Sequence, residues 1–442
     1  MVKKAELVLV ATCLLAGGFS AAHAAIPATE RAALIDLYTS TNGVGWVNKS
    51  GWKTPPLDVD GFAMPGTECD WFGVWCDVGE TAVWAISMEN NLLSGNIPPE
   101  LGDLADLTFL YLEKNQLSGG IPPELGSLPF LLDLSLFNNG LTGSIPAELE
   151  NLASLEELWF SGNNLTGSIP PELGSISTLL VLALYDNGLT GSIPLELGDL
   201  SNLVDLWIDG NALTGSIPPE LGSLGSLESL FLFDNQLSGS IPPELGDLAN
   251  VRALYLNGNL LSGAIPPDLR NLLSIEDLFL SGNQLSGSIP PELGDLVTLQ
   301  YLYLNSNQLT GPIPSDLGYL PNLQRLLLSD NQLSGVIPRQ LGNLDSLLYT
   351  YLDHNALSGP VPVELLSLTT LLNVRSNFCN NSLYTSNSTL SDFLDTKQIG
   401  GDWVSCQVGA VPTMSKTGIL VMCALLAGSA LWMLGRSKIV AR

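Results

Sequence analysis

The chain has 442 residues, with 44 acidic side chains against 16 basic ones and a formal net charge of −28. Such a field repels the phosphate backbone of nucleic acid and anionic lipid, and draws in cations or basic partners. Two histidines and six scattered cysteines leave no material for histidine-dependent hydrolysis or a short-spaced zinc cluster, and no glycine-rich phosphate loop occurs, so no cofactor or metal is expected.

Residues 1–24 read as a secretory signal. Lys3 and Lys4 precede an apolar run, and Ala22-His23-Ala24 offers a small-residue cleavage site. Cysteine usage fits export. With Cys13 in the signal and Cys423 in the apolar tail, Cys69, Cys76, Cys379 and Cys406 remain as two local pairs, which in an exported protein point to two disulfides.

The middle of the chain repeats itself. Asparagine recurs at 91, 115, 139, 163, 187, 211, 235, 259, 283, 307, 331 and 355, always 24 residues apart, and Cys379 occupies the next place in the series. Self-similarity at such a period predicts a solenoid, whose coils bury their leucines only by stacking. In LTFLYLEKNQLSG, Leu110 and Leu112 alternate with Phe109, Tyr111 and Glu113, which predicts a short strand. Asn115 then turns the chain, and stacked copies of its amide are expected to form a ladder to open backbone groups. Gly119 permits a bend, and the Pro-stiffened IPPELGSL is predicted to be a 3₁₀ turn.

The L-x-x-N-x-L-[ST]-G-x-[IV]-P pattern over residues 82–380 resembles the plant-type leucine-rich repeat of receptor kinase ectodomains and polygalacturonase-inhibiting proteins. The resemblance implies an α/β solenoid, a horseshoe of twelve to thirteen coils with a parallel concave sheet and a 3₁₀ or irregular convex side. It also implies an N-terminal cap over residues 25–81, where ERAALIDLYTST looks like the cap helix and CDWFGVWC like the cysteine-bounded tryptophan motif. Cys379 and Cys406 then look like the pair of a C-terminal cap over residues 381–408.

The strand face opposite the leucines is the concave surface. Four residues before each ladder position lies one column of side chains expected to be exposed: Tyr111, Ser135, Trp159, Ala183, Trp207, Phe231, Tyr255, Phe279, Tyr303, Leu327 and Tyr351. A contiguous aromatic stripe that the core does not need marks a binding surface. The plainer reading is that strand propensity favours aromatics, which pack on one another along the stack. Acids interleave, among them Asp133, Glu157, Asp205, Asp209, Asp277 and Asp353. Aromatics with carboxylates suit a polysaccharide, or an extracellular protein or peptide with basic groups. Asp133 and Glu157 occupy equivalent places in adjacent coils, a separation that suits a retaining glycosidase. Any repeat places like beside like, however, and the reading kept is a binding module without catalysis; a passive structural component is the alternative.

The tail VPTMSKTGILVMCALLAGSALWMLGRSKIVAR provides an apolar stretch over residues 418–435 long enough to cross a bilayer, with a basic end at 436–442 placed in the cytoplasm by the positive-inside rule. Residues 409–417 form a linker, and Val411, Pro412 and Thr413 resemble the start of the sorting signals handled by bacterial exosortase-type proteases. Met414 departs from the usual leucine, and Lys416-Thr417-Gly418 from the usual acid–tryptophan–glycine. The resemblance implies a transient anchor, a sorting protease as partner and a cell-surface destination. A plant receptor-like protein with a short tail is the rival.

Overall fold

The computed structural model describes residues 25–408. The signal at 1–24, the motif at 411–413 and the apolar span at 418–435 lie outside the described residues. Among the described residues, no helix is long and apolar enough to cross a membrane.

Helix α1 (Ala28–Ser40) opens the chain and buries Ala33, Leu34, Leu37 and Tyr38. Beneath it Trp46, Trp52, Phe62 and Trp71 pack with Tyr38 into one aromatic plug. The plug carries a buried cation: Arg31 donates to Glu68 and, at 2.8 Å, to Asp60. Strand Val74–Cys76 pairs antiparallel with Val83–Ser87, and the Cys69–Cys76 disulfide ties this corner. From Val83–Ser87 onward every neighbour in the 13-stranded sheet is parallel. The register advances by one coil per strand, as in Leu206↔Leu230 and Leu230↔Leu254. Past Val83–Ser87 the strands of this sheet are three residues long because the period-two pattern lasts no longer before the asparagine turns the chain. The leucines of this face are fully buried in a single core running the length of the stack.

The asparagine ladder forms as expected. The Nδ2 of Asn235 donates to the carbonyls of Ile208 (3.1 Å) and Leu232 (3.2 Å), and its Oδ1 accepts from Leu213 N at 3.0 Å. One side chain therefore satisfies backbone groups of two coils, where an unpaired buried group would cost about 1–3 kcal/mol. The expectation that Cys379 continues the series is corrected. Asn381 takes that role, accepting from Leu357 N at 3.0 Å and donating to Leu352 O at 2.9 Å. A cystine cannot both donate and accept, so the chain advances 26 residues from Asn355 to Asn381 and leaves Cys379 for its bridge to Cys406. Gln407 closes the series by accepting from Leu383 N.

The convex side carries a five-residue 3₁₀ turn per coil, typified by Pro219–Ser223 with Leu221 buried. Between ladder and turn the chain makes more than the expected bend. Segments such as Gln284–Ser288 and Gln308–Gly311 are second strands, joined into flanking parallel sheets. Their hydroxyls form a second ladder, as where Thr190 donates to Gly167 O and Thr214 to Gly191 O, both at 3.3 Å. Helix α2 (Ser388–Lys397) ends the stack, its first turn capped by Asn387 accepting from Leu390 N, with Leu390, Leu394 and Trp403 buried over the last coil.

Candidate functional site

The candidate site is the aromatic column on the concave face, and the structure divides it. Over its first part the expectation of exposure is overturned. Tyr111 is 5% exposed, Ser135 and Ala183 are buried, and so is Asp133. The Tyr111 hydroxyl donates to Asp133 Oδ2 at 2.9 Å, and burial, then the Asp133 charge, pushes the phenol well above its ordinary range. Glu157 is half-buried and accepts from Trp159 Nε1 at 3.1 Å. Asp133 and Glu157, whose spacing would suit a glycosidase, do sit in register on adjacent strands, but each is engaged by its own aromatic neighbour.

Trp159 and Trp207, two coils apart, close over fully buried Ala183 and meet edge to face, with centroids 5.5 Å apart at 69°. From Trp207 the rings then run parallel without a break. Centroid separations are 5.8 Å to Phe231, 4.4 Å on to Tyr255, 4.3 Å to Phe279 and 4.1 Å to Tyr303, and the angle between planes falls from 16° to 4°. Parallel strands lie about 4.8 Å apart, so the closer ring spacing reflects curvature that draws the inner side chains together. All five rings are half-buried. Their faces are spent on one another, and their edges remain. The plainer sequence reading, aromatics packed along the stack, thus describes this segment.

Past Tyr303 the column changes character. Leu327 interrupts it, and Tyr351 packs tilted against Tyr349 at 5.7 Å. The Arg325 guanidinium lies between the rings of Tyr301 (4.6 Å) and Tyr349 (5.2 Å) and donates to the Tyr303 hydroxyl at 3.1 Å. Burial, then Tyr303, pushes the Tyr349 phenol up to about 12.

The polar groups obey an offset that the sequence reading missed. A tyrosine four residues before one ladder asparagine bonds the residue six before the next, 22 positions on: Tyr111 to Asp133, Tyr255 to Asp277 at 2.8 Å, and Tyr303 to Arg325. Burial holds the Asp277 carboxyl above the usual carboxylate range and is the first cause for Asp205 and Asp353 too. Asp209, 6% exposed, is pushed up to about 7 by burial, with Asp186 and Asp234 on the neighbouring coils adding repulsion. Asp353 is also buried and meets His354 Nδ1 at 2.9 Å.

A second missed pattern lies one residue before each ladder asparagine. Asn138, Asp186 and Asp234 are left-handed, with φ of 53°, 52° and 50°, and the following coils carry left-handed Gly162, Gly210 and Gly258 there. A Cβ on those glycines would lie 2.2, 2.5 and 2.2 Å from the Oδ1 of the preceding Asn or Asp. The side chain of one coil therefore occupies the space vacated by glycine on the next.

Among the described residues, no group of three or more His, Cys, Asp or Glu side chains is placed to hold a metal. Comparison with known proteins agrees with this architecture. The Leucine Rich Repeat family model matches nine segments, 106–128, 130–152, 154–176, 202–224, 226–248, 250–272, 274–296, 298–320 and 322–344. A structure of PEPR1 with AtPEP1 matches at 34% identity and a TM-score of 0.70, over 80% of this chain and 52% of that one. The Arabidopsis receptor kinase HAESA, in complex with the peptide hormone IDA and the co-receptor SERK1, matches at 30% and 0.59, over 81% and 66%. A leucine-rich-repeat protein of Leptospira interrogans matches at 33% and 0.59, over 73% and 78%. The chain thus spans about half the length of the PEPR1 chain. No curated protein sequence matches it at a significant level. The chain belongs to the leucine-rich-repeat proteins, in their plant-type form.

Proposed function

We propose that this protein is an exported binding module whose concave face holds an extended segment of a peptide or protein, and that it performs no catalysis. The observation that carries the reading is the row from Trp207 to Tyr351, aromatic at all but one position and half-exposed on one face of a sheet whose leucines already fill the core. Among the solved relatives, HAESA binds a peptide hormone. A peptide suits the row better than a polysaccharide. Sugars pack on ring faces, and from Trp207 to Tyr303 those faces are covered by neighbouring rings. The remaining edges and flanking carboxylates suit aliphatic and hydrogen-bonding groups. Asp133 and Glu157 hold structural hydrogen bonds, which supports a reading without turnover.

The test is selection of a random linear peptide library on purified residues 25–408, repeated on a Trp207→Ala, Tyr303→Ala variant that melts cooperatively. Sequences enriched on the parent and lost on the variant uphold the reading. Equal enrichment on both, or none on either, overturns it. For destination, the two disulfides fit an oxidising compartment. Processing near Val411, Pro412 and Thr413 by a sorting protease is proposed from the sequence. An intact mass from the native host ending near residue 411 supports it; a mass running to Arg442 points to a permanent membrane anchor.

A further inference from the structure

We propose that the stretch of concave sheet between Glu157 and Asp205 anchors a basic side chain, arginine or lysine, of the bound peptide, with Trp159 as its aromatic support. This rests on the concave binding reading above and names the chemistry of its partner.

Glu157, Val181 and Asp205 stand in register on three successive strands, so two carboxylates flank one aliphatic residue on the same column. Strands about 4.8 Å apart put their backbones roughly 10 Å from each other, a gap that a guanidinium or ammonium group can bridge. The 22-residue offset makes this place exceptional. Asp133 and Asp277 each receive a phenol from the preceding coil, Tyr111 and Tyr255. The residue at the same offset from Asp205 is Ala183, which has no hydroxyl to give. Asp205 has a hydrogen bond with Ser229 and stands in the fields of Glu228 and Glu157, and burial holds it above the usual carboxylate range. No lysine or arginine among the described residues ion-pairs with it; the rim cation Arg252 pairs with Glu228 and Glu276 instead. A half-buried carboxylate in a field of carboxylates is stabilised by a cation from outside.

The ring geometry adds a support. Trp207 lies nearly parallel to Phe231, whereas Trp159 is turned out of that plane and meets Trp207 at 69° in an edge-type contact. Trp159 stands outside the parallel row, with Phe137 only tilted against it at 6.4 Å and 55°, and an indole face is the strongest aromatic partner for a guanidinium. The rings from Phe231 to Phe279, covered on both sides, cannot offer this.

The experiment compares tetra-arginine with its neutral isostere tetra-citrulline on residues 25–408, read by tryptophan fluorescence and calorimetry. The expected result is at least tenfold tighter binding of tetra-arginine. That preference falls about tenfold in Glu157→Gln, Asp205→Asn, two isosteric changes, the first of which still accepts from Trp159. It survives in the convex control Glu124→Gln, Glu220→Gln, which removes equal charge. Equal binding of the two peptides, or equal loss in both variants, overturns the anchor and leaves the binding reading to the peptide selection. No binding of either peptide also overturns the anchor. An empty peptide selection sinks both.

Discussion

The two halves of the concave column share one backbone and differ in everything a ligand would meet. From Tyr111 to Ala183 the column alternates large and small, so each ring turns to a polar neighbour or leans over a gap: Tyr111 onto Asp133, Trp159 toward Trp207 across Ala183. From Trp207 to Tyr303 no small residue intervenes, and the rings lock face to face. Strand register is the same in both, with Leu134↔Leu158 and Leu254↔Leu278 pairing alike. The difference teaches that in a stack of identical coils the chemistry of a face is set by whom each side chain has one coil away. Residue type alone does not set it.

The largest perturbation would break the shared frame on which the comparison depends. Asn235→Ala leaves Leu213 N and the carbonyls of Ile208 and Leu232 without their side-chain partner. At about 1–3 kcal/mol for a buried group left unsatisfied, urea unfolding should report a loss of about 3 kcal/mol, with a broadened transition if neighbouring coils uncouple. A loss under about 1 kcal/mol would mean that the ladder is decoration. Next, Phe279→Ala removes two parallel contacts at once, with Tyr255 and Tyr303. At about 0.5–1.5 kcal/mol per aromatic pair beyond area, the expected cost is about 2 kcal/mol, together with a reduced near-ultraviolet dichroism signal. An unchanged spectrum would erase the distinction between the halves.

A last effect, read as pH dependence, concerns the buried carboxyl of Asp209. Its folded carboxyl titrates near 7, above the ordinary carboxylate value of 3.8. The folded state therefore holds a proton that the unfolded chain releases. This contribution to stability is complete below pH 4 and is lost as pH rises toward and through 7. Asp209→Asn should flatten that part of the stability–pH curve, and an identical slope in parent and variant would show that Asp209 ionises normally.

Much of the fold was legible because a repeated residue carries one physical demand. The ladder asparagines, the leucine alternation and the proline-led turns each state a backbone requirement that recurs every 24 residues, and α1 and both disulfides lie where the cap resemblance placed them. The ladder misread at Cys379 came from trusting the period where two added residues let Asn381 take over. The flanking strands were hidden because Ser/Thr-Gly segments carry little strand propensity; neighbouring coils supply their pairing. The candidate site was legible as a column and illegible as a surface. Burial of Tyr111 and Ala183 and closure of the ring faces depend on neighbours one coil away, which a single-coil reading does not see. The 22-residue offset and the Asx–Gly alternation were in the sequence, and comparing consecutive coils would have found them.

That alternation restricts how such a molecule can change length. A ladder identical in every coil would tolerate loss or duplication of any 24-residue block, since the splice restores the same hydrogen bonds. The column beside it has parity: Asn138 with Gly162, Asp186 with Gly210, Asp234 with Gly258. Excising the one coil that carries Gly210 would set Asp186 against Asp234, two left-handed carboxylates competing for the space one glycine had left open. Excising a pair of coils preserves the order. From Asn138 to Gly258 the packing therefore repeats every 48 residues, twice the unit that the eye reads.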